Sequence, residues 1–182
     1  MKLALKITPQ RSTQYASMTE KLAAPELLAS PLAPIIQHVE PVTLAGQHYL
    51  LVTLDDAGHP LLEAVLACLG ATSEAYQYFE TLGEMQGPFL RPLDCALTPF
   101  VPLEMAEARR YKGKTNEIFT RVLLNVAIFA GAFREQVAER LRILDPLAGG
   151  CTTLFLALAA GYDAFGVEHQ KQDIESSAIF IH

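Results

Sequence analysis

The stretch LRILDPLAGGCTTLFLALAAGYDAFGVE, residues 141–168, constrains this chain more than any other. Leu141 to Leu144 reads as a short buried strand, with Asp145 at its end. The following PLAGG carries a proline and two glycines and sustains neither strand nor helix, so the chain must turn there. Thr152 and Thr153 stand where a helix N-cap is expected, Leu154 to Ala160 is a continuous apolar run, and Gly161 stops it. AFGVE then reads as a second short strand ending in Glu168. Two strands joined by one helix, with so few residues to spare, form a parallel pair with a right-handed crossover. A βαβ unit of this kind commits the C-terminal part of the chain to an α/β arrangement.

Upstream the texture differs. SMTEKLAAPELLAS predicts a short helix interrupted by Pro25, or two turns of helix either side of it, and Pro31 and Pro34 predict an extended connection. IIQHVEPVTLAGQHYLLVTLDD reads as a hairpin, Ile36 to Thr43 and His48 to Leu54 around an Ala45-Gly46 turn. HPLLEAVLACLG predicts a helix from near Pro60, with Gly70 past its end. ATSEAYQYFETLG predicts a second helix, capped by Thr72 or Ser73 and stopped by Gly83. Prolines 88, 92, 99 and 102 forbid a long helix and predict an extended crossing segment, which divides the chain near residue 100. Beyond it, IFTRVLLNVAIFAGAF predicts a mostly apolar helix, and REQVAERL an amphipathic continuation.

Composition narrows the function classes. The chain has 182 residues, 51% of them hydrophobic, enough for a buried core, and a net charge of −6 that does not mark a general nucleic-acid binder. The charge is uneven: residues 1–100 carry 5 basic and 10 acidic side chains, residues 101–182 carry 9 and 10. Cys68, Cys95 and Cys151 are odd in number and lack CxxC spacing, which argues against disulfides or zinc and fits a reducing compartment. The five histidines have no ligand spacing, so no metal is expected. The longest apolar run, VLLNVAIFAGAF, falls short of the roughly 18 residues a bilayer needs. A cytoplasmic protein without a membrane partner is the expectation.

The βαβ unit offers specific chemistry. Ligands of open parallel sheets bind outside the carboxyl ends of the strands. Gly149 and Gly150 let a ligand approach the backbone, and the following helix presents unpaired N–H groups to an anion. Glu168 lies 19 residues after Gly149, near the ~20 expected of an acid that binds ribose hydroxyls. Arg109, Arg110, Lys112, Lys114 and Arg121 form a basic cluster near a helix start, where positive charge opposes the dipole. The cluster reads as a phosphate-facing edge, or as a solvated helix start and loop.

DPLAGGCTT resembles motif I of S-adenosylmethionine-dependent methyltransferases, in the Asp-Pro form of the nucleic-acid amino-methyltransferases, which act on tRNA or DNA. GYDAFGVE is similar to their motif II, and RYKGKTNEIFTRVLLNVA to the segment before motif I, so the resemblance covers roughly residues 98–178. It implies an α/β fold: an N-terminal α+β lobe, residues 1–100, then the opening βαβ of a Rossmann-like methyltransferase sheet, residues 101–182. It implies S-adenosylmethionine as cofactor. Asp145 would contact it, Ala148, Gly149 and Gly150 would surround its methionine part, and Glu168 would hold the ribose. Thr115 and Asn116 would reach the methionine carboxylate or amine. Cys151 departs from the pattern, standing in the place of the second glycine, where a side chain crowds the cofactor or forces the residue off a positive φ.

The Asn/Asp-Pro-Pro-aromatic tetrapeptide that binds the target amine in that family does not occur, and the chain ends 14 residues after Glu168. The expectation is therefore a truncated methyltransferase, with no catalytic residue assigned and little activity alone. Its partner would be tRNA or DNA, held through Arg109, Arg110, Lys112 and Lys114. Two alternatives stand beside this reading. One is a non-catalytic module that forms a homodimer through its unfinished sheet. The other is an NAD-dependent oxidoreductase fragment, with the missing G-x-G-x-x-G counting against it.

Overall fold

The computed structural model describes residues 1–10, 15–55, 58–95, 97–108, 110–111 and 113–181. KLALKI, where the sequence reading places no element, is strand β1 (Lys2–Ile7). Leu3 and Leu5 alternate with Lys2, Ala4 and Lys6, and a strand sends such alternate residues to opposite faces. Buried Leu3 and Leu5 enter the main core, while Ala4 joins a smaller cluster with Tyr49 and Leu51. β1 is the centre of a five-stranded antiparallel sheet, ordered β2–β3–β1–β4–β5. The outer strands are β2 (Ile36–Leu44), β3 (Gln47–Leu54), β4 (Thr72–Leu82) and β5 (Met85–Pro92). The expected β2–β3 hairpin is present, with Ala45 and Gly46 both at positive φ, as a tight hairpin turn requires.

Two helical expectations fail for identifiable reasons. ATSEAYQYFETLG is strand β4, because it pairs with β1 on one side (Ala4 with Tyr76) and β5 on the other (Tyr78 with Leu90). Two ladders outweigh the weak helical preference of its Ala and Glu residues, and Thr, Tyr and Phe suit a sheet. GPFLRP, expected to be extended, is edge strand β5, a position that tolerates proline. REQVAERL is not a helix. Gly131 caps the preceding helix, and only Arg134–Gln136 form a 3₁₀ turn.

The helices are α1 (Ala16–Ala29), α2 (Leu62–Cys68), α3 (Glu104–Ala108), α4 (Glu117–Ala130), α5 (Thr152–Ala159) and α6 (Lys171–Ile181). None among the described residues is long and apolar enough to cross a membrane. α1 runs unbroken through Pro25. The missing amide removes one helical bond, while buried Ala23, Glu26 and Leu27 tie the helix to its neighbours. α1 packs on β1 and β3 and against α4, and α4 packs against α5. One core cluster runs through all of these layers, from Leu3 and Val52 through Leu27 and Phe129 to Ala157 and Tyr162. β6 (Arg142–Asp145) and β7 (Asp163–Gly166) form a separate two-stranded parallel sheet, whose Ile143 and Ala164 pack against that core. The protein is thus a mixed α/β fold.

A buried carboxylate joins the layers. Glu26 on α1 is 1% exposed. Its Oε1 accepts from the Gly70 N–H at 2.8 Å and the Asn125 Nδ2 amide at 2.7 Å, and its Oε2 from the Ala71 N–H at 2.9 Å. Asn125 on α4 also donates to the Cys68 carbonyl at 2.7 Å, and Arg121 donates to the Cys68 and Ala67 carbonyls at 3.0 and 2.8 Å. The end of α2 is therefore clamped between α1 and α4. Burial pushes the Glu26 pKa above its ordinary value, against the lowering pull of Asn125, Gly70, Ala71 and Arg121.

Glu26→Ala orphans three buried donors and is expected to cost about 3 kcal/mol in urea unfolding. With its folded pKa raised, Glu26 holds a proton in the native state, between the unfolded and folded values, that the unfolded chain has already released. Its contribution is therefore full below the unfolded value and falls as pH rises through the folded one. Glu26→Gln abolishes that titration, so the stability of the native chain relative to Glu26→Gln should be greatest near about pH 4 and decline toward neutrality.

Candidate functional site

β6 and β7 run parallel, with Asp145 opposite Gly166. Their carboxyl ends share an edge, and the chain turns there in both directions. The Val167 N–H donates to the Asp145 carbonyl, and the Ala148 N–H to the Val167 carbonyl, both at 2.9 Å. Asp145 Oδ1 accepts from the Leu147 N–H at 3.0 Å, which shapes the start of the turn. Glu168 then reaches back over it. Its Oε2 accepts from the Gly149 N–H at 2.8 Å, and its Oε1 from the Gln170 N–H at 2.7 Å. These N–H groups, Gln170 ahead of Gly149, hold the Glu168 pKa below its ordinary value. The carboxylate is thus ionised at neutral pH, and its grip on Gly149 is lost only as pH falls through that lowered pKa.

The two glycines do different work. Gly149 has a φ of +48° and nothing within 4 Å of the position a Cβ would take, so its face is open. At Gly150 that position is filled by the ring of Tyr111, whose hydroxyl pairs with Thr152 Oγ1 at 2.6 Å. Gly150 therefore has an internal reason to be glycine, and a ligand's approach is left to Gly149. Tyr111 makes this contact from a segment whose pattern is basic and polar. Its signal is being the one aromatic residue in RRYKGKTNE.

Cys151 overturns one expectation. It adopts the left-handed conformation, at φ +66°, a strain of about 1 kcal/mol. Its N–H donates to the Ala148 carbonyl at 2.7 Å, and its Sγ lies 3.3 Å from Ser177 Oγ on α6. Cys151 is also the N-cap residue of α5, which corrects the assignment of Thr152 or Thr153 to that place. Thr152 is buried in the first turn and bonded to Tyr111 instead.

Asp145, Ala148, Gly149, Gly150 and Glu168 are therefore brought together. Thr115 and Asn116 line a cleft of about 620 Å³ with Gln10, Tyr15 and Arg110. Asn116 caps α4, its Oδ1 accepting from the Phe119 N–H at 3.0 Å, and its Nδ2 donates to Gln10 Oε1 at 3.4 Å.

Arg109 and Lys112 lie outside the described residues, and Arg110 is exposed. Lys114 donates to the Ala106 and Glu107 carbonyls at the end of α3, at 2.6 and 3.2 Å, and pairs with Glu117. Arg121 is turned inward onto the α2 carbonyls, and burial lowers its pKa. Of the histidines, His182 lies outside the described residues. Among the described residues no group of three His, Cys, Asp or Glu side chains is placed to hold a metal ion. No protein-family model matches the chain, and no curated protein does.

Gly150→Ala drives a methyl group into the Tyr111 ring and is expected to cost about 1–3 kcal/mol. In a Tyr111→Ala background most of that cost should vanish. Additive losses in the double-mutant cycle would show that the ring does not fill this space.

Proposed function

We propose that the β6–α5–β7 unit is the Rossmann-like opening of an S-adenosylmethionine site, and that the chain belongs to a methyltransferase acting on amino groups of tRNA or DNA. What supports the reading is the meeting of Glu168 and Gly149. They are 19 residues apart, yet the carboxylate and the loop N–H are 2.8 Å from each other. Asp145 stands at the same edge, at the end of the neighbouring strand. Two acceptors flanking an open glycine suit a ligand that carries hydroxyl and ammonium donors.

Bound there, the cofactor supplies an electrophilic methyl group on a sulfonium. The chain's part is positioning. Glu168 receives ribose hydroxyls in exchange for, or alongside, the Gly149 N–H. Asp145 offers its second oxygen, Oδ2, to a donor. Gly149 admits the ligand against the backbone, while Tyr111 closes the Gly150 side. Holding reacting groups in register in this way is a large share of what such a site contributes.

A second reading is favoured by one observation. Leu144, Phe165 and Val167 are 63, 53 and 57% exposed on the outer side of the two-stranded sheet, whereas parallel sheets normally have both faces covered. A non-catalytic module that dimerises through this face would cover them, and light scattering would then report a clean dimer.

Calorimetry separates the ligand classes. S-adenosylhomocysteine should bind saturably and NAD should not. Asp145→Ala and Glu168→Ala should each weaken S-adenosylhomocysteine about tenfold or more, the equivalent of one or two lost charge-assisted hydrogen bonds. Binding of NAD in its place would transfer the chain to the oxidoreductases, and binding of neither would remove the cofactor reading.

A further inference from the structure

Arg121 presents an unusual combination. Its guanidinium is largely buried, and no carboxylate among the described residues touches it; Glu26 acts on it only through space. Nε donates to the Cys68 carbonyl and Nη2 to the Ala67 carbonyl, so Nη1 donates to no group among the described residues. Buried arginine is rare without an anionic partner. The carboxylate of Glu26 is already committed to Gly70, Ala71 and Asn125.

Arg121 also lines a cleft of about 190 Å³ between α4, α5 and the segment around residues 97–103, and a second of about 330 Å³ whose lining includes Thr72, Glu74 and Asp94. The rest of the smaller cleft's lining is apolar, including Leu97, Pro99, Leu103, Leu156 and Ala160. One cation in an otherwise apolar wall selects a ligand with one anionic end and an aliphatic body. The volume limits that body to a few carbons.

We propose that this cleft is a binding site for a short-chain aliphatic monocarboxylate, with the carboxylate on Arg121 and the tail against Leu103, Leu156 and Ala160. The planar guanidinium suits a carboxylate through paired N–H donors. The apolar wall removes the tail from water and strengthens the charge pair by excluding solvent. The site is separate from the Gly149 turn, and its occupation does not depend on the cofactor reading.

Butyrate is the probe, and the Arg121 Nε–Hε resonance is the readout, at constant ionic strength. The shift should saturate with a dissociation constant on the order of 10 mM, as expected for so few heavy atoms. Acetate should bind at least fivefold more weakly, and butan-1-ol should leave the resonance unmoved. Ala160→Leu, which fills the cleft, and Leu103→Asp, which sets a competing acid at its half-exposed rim, should each weaken butyrate at least fivefold. Leu103→Asp keeps the test open if Ala160→Leu fails to fold. A linear response matching that to chloride, an equal response to butan-1-ol, or undiminished affinity in the folded variants would overturn the proposal.

Discussion

The carboxylate of Glu26 organises this fold. It is an acceptor placed where three N–H donors from two other segments converge, at Gly70, Ala71 and Asn125. A charge so deeply buried is tolerable only when its hydrogen bonds are complete. The requirement is mutual, because the Gly70 and Ala71 amides, just past the end of α2, would otherwise be orphans. The Asn125 amide and the Arg121 guanidinium take up the adjoining carbonyls of Cys68 and Ala67. Gly70 permits the approach, since a Cβ there would press on Val122 and Arg121 of α4 at 3.0–3.1 Å. A second tie reinforces the first, with Arg134 donating to the Ser30 carbonyl just beyond α1 at 3.1 Å.

From this clamp the candidate site is positioned outward. α4 lies on α1, α5 on α4, and β7 beside α5. The Tyr162 hydroxyl, between α5 and β7, donates to the Val137 carbonyl at 2.9 Å, and burial raises its pKa. The turn at residues 145–151 thus sits on a framework that begins at the central β1 strand. Its own fastenings are lighter: Glu168 on Gly149 from one side, Tyr111 on Gly150 and Thr152 from the other. A rigid base with an adjustable rim is the usual arrangement where ligands are admitted.

The legible parts of the sequence were those set by local rules. Glycine and proline at fixed places gave the β2–β3 hairpin, the stop after α5 and the strand–turn–helix–strand order of residues 142–166. Strand β4 was illegible because its fate depends on β1, more than sixty residues earlier, and β1 itself was passed over although Leu3 and Leu5 alternate with Lys2, Ala4 and Lys6. Helix α1 defied Pro25 because tertiary bonds at Glu26 outweigh one missing amide. The site shows the same division. Asp145, the glycines and Glu168 follow from spacing along the chain, and their convergence was legible. Tyr111 on Gly150 and the turn of Arg121 onto the α2 carbonyls depend on how helices pack. No spacing rule encodes those contacts.

The most direct test of this account is native-state hydrogen exchange, residue by residue. The Gly70 and Ala71 amides, held by Glu26, should exchange only through global unfolding, with the same free energy as the central β1 amides. The Gly149 amide, held by the half-exposed Glu168, should exchange through local opening at a markedly lower free energy. Exchange of Gly70 and Ala71 as rapid as that of Gly149 would contradict the claim that the buried carboxylate holds the fold together.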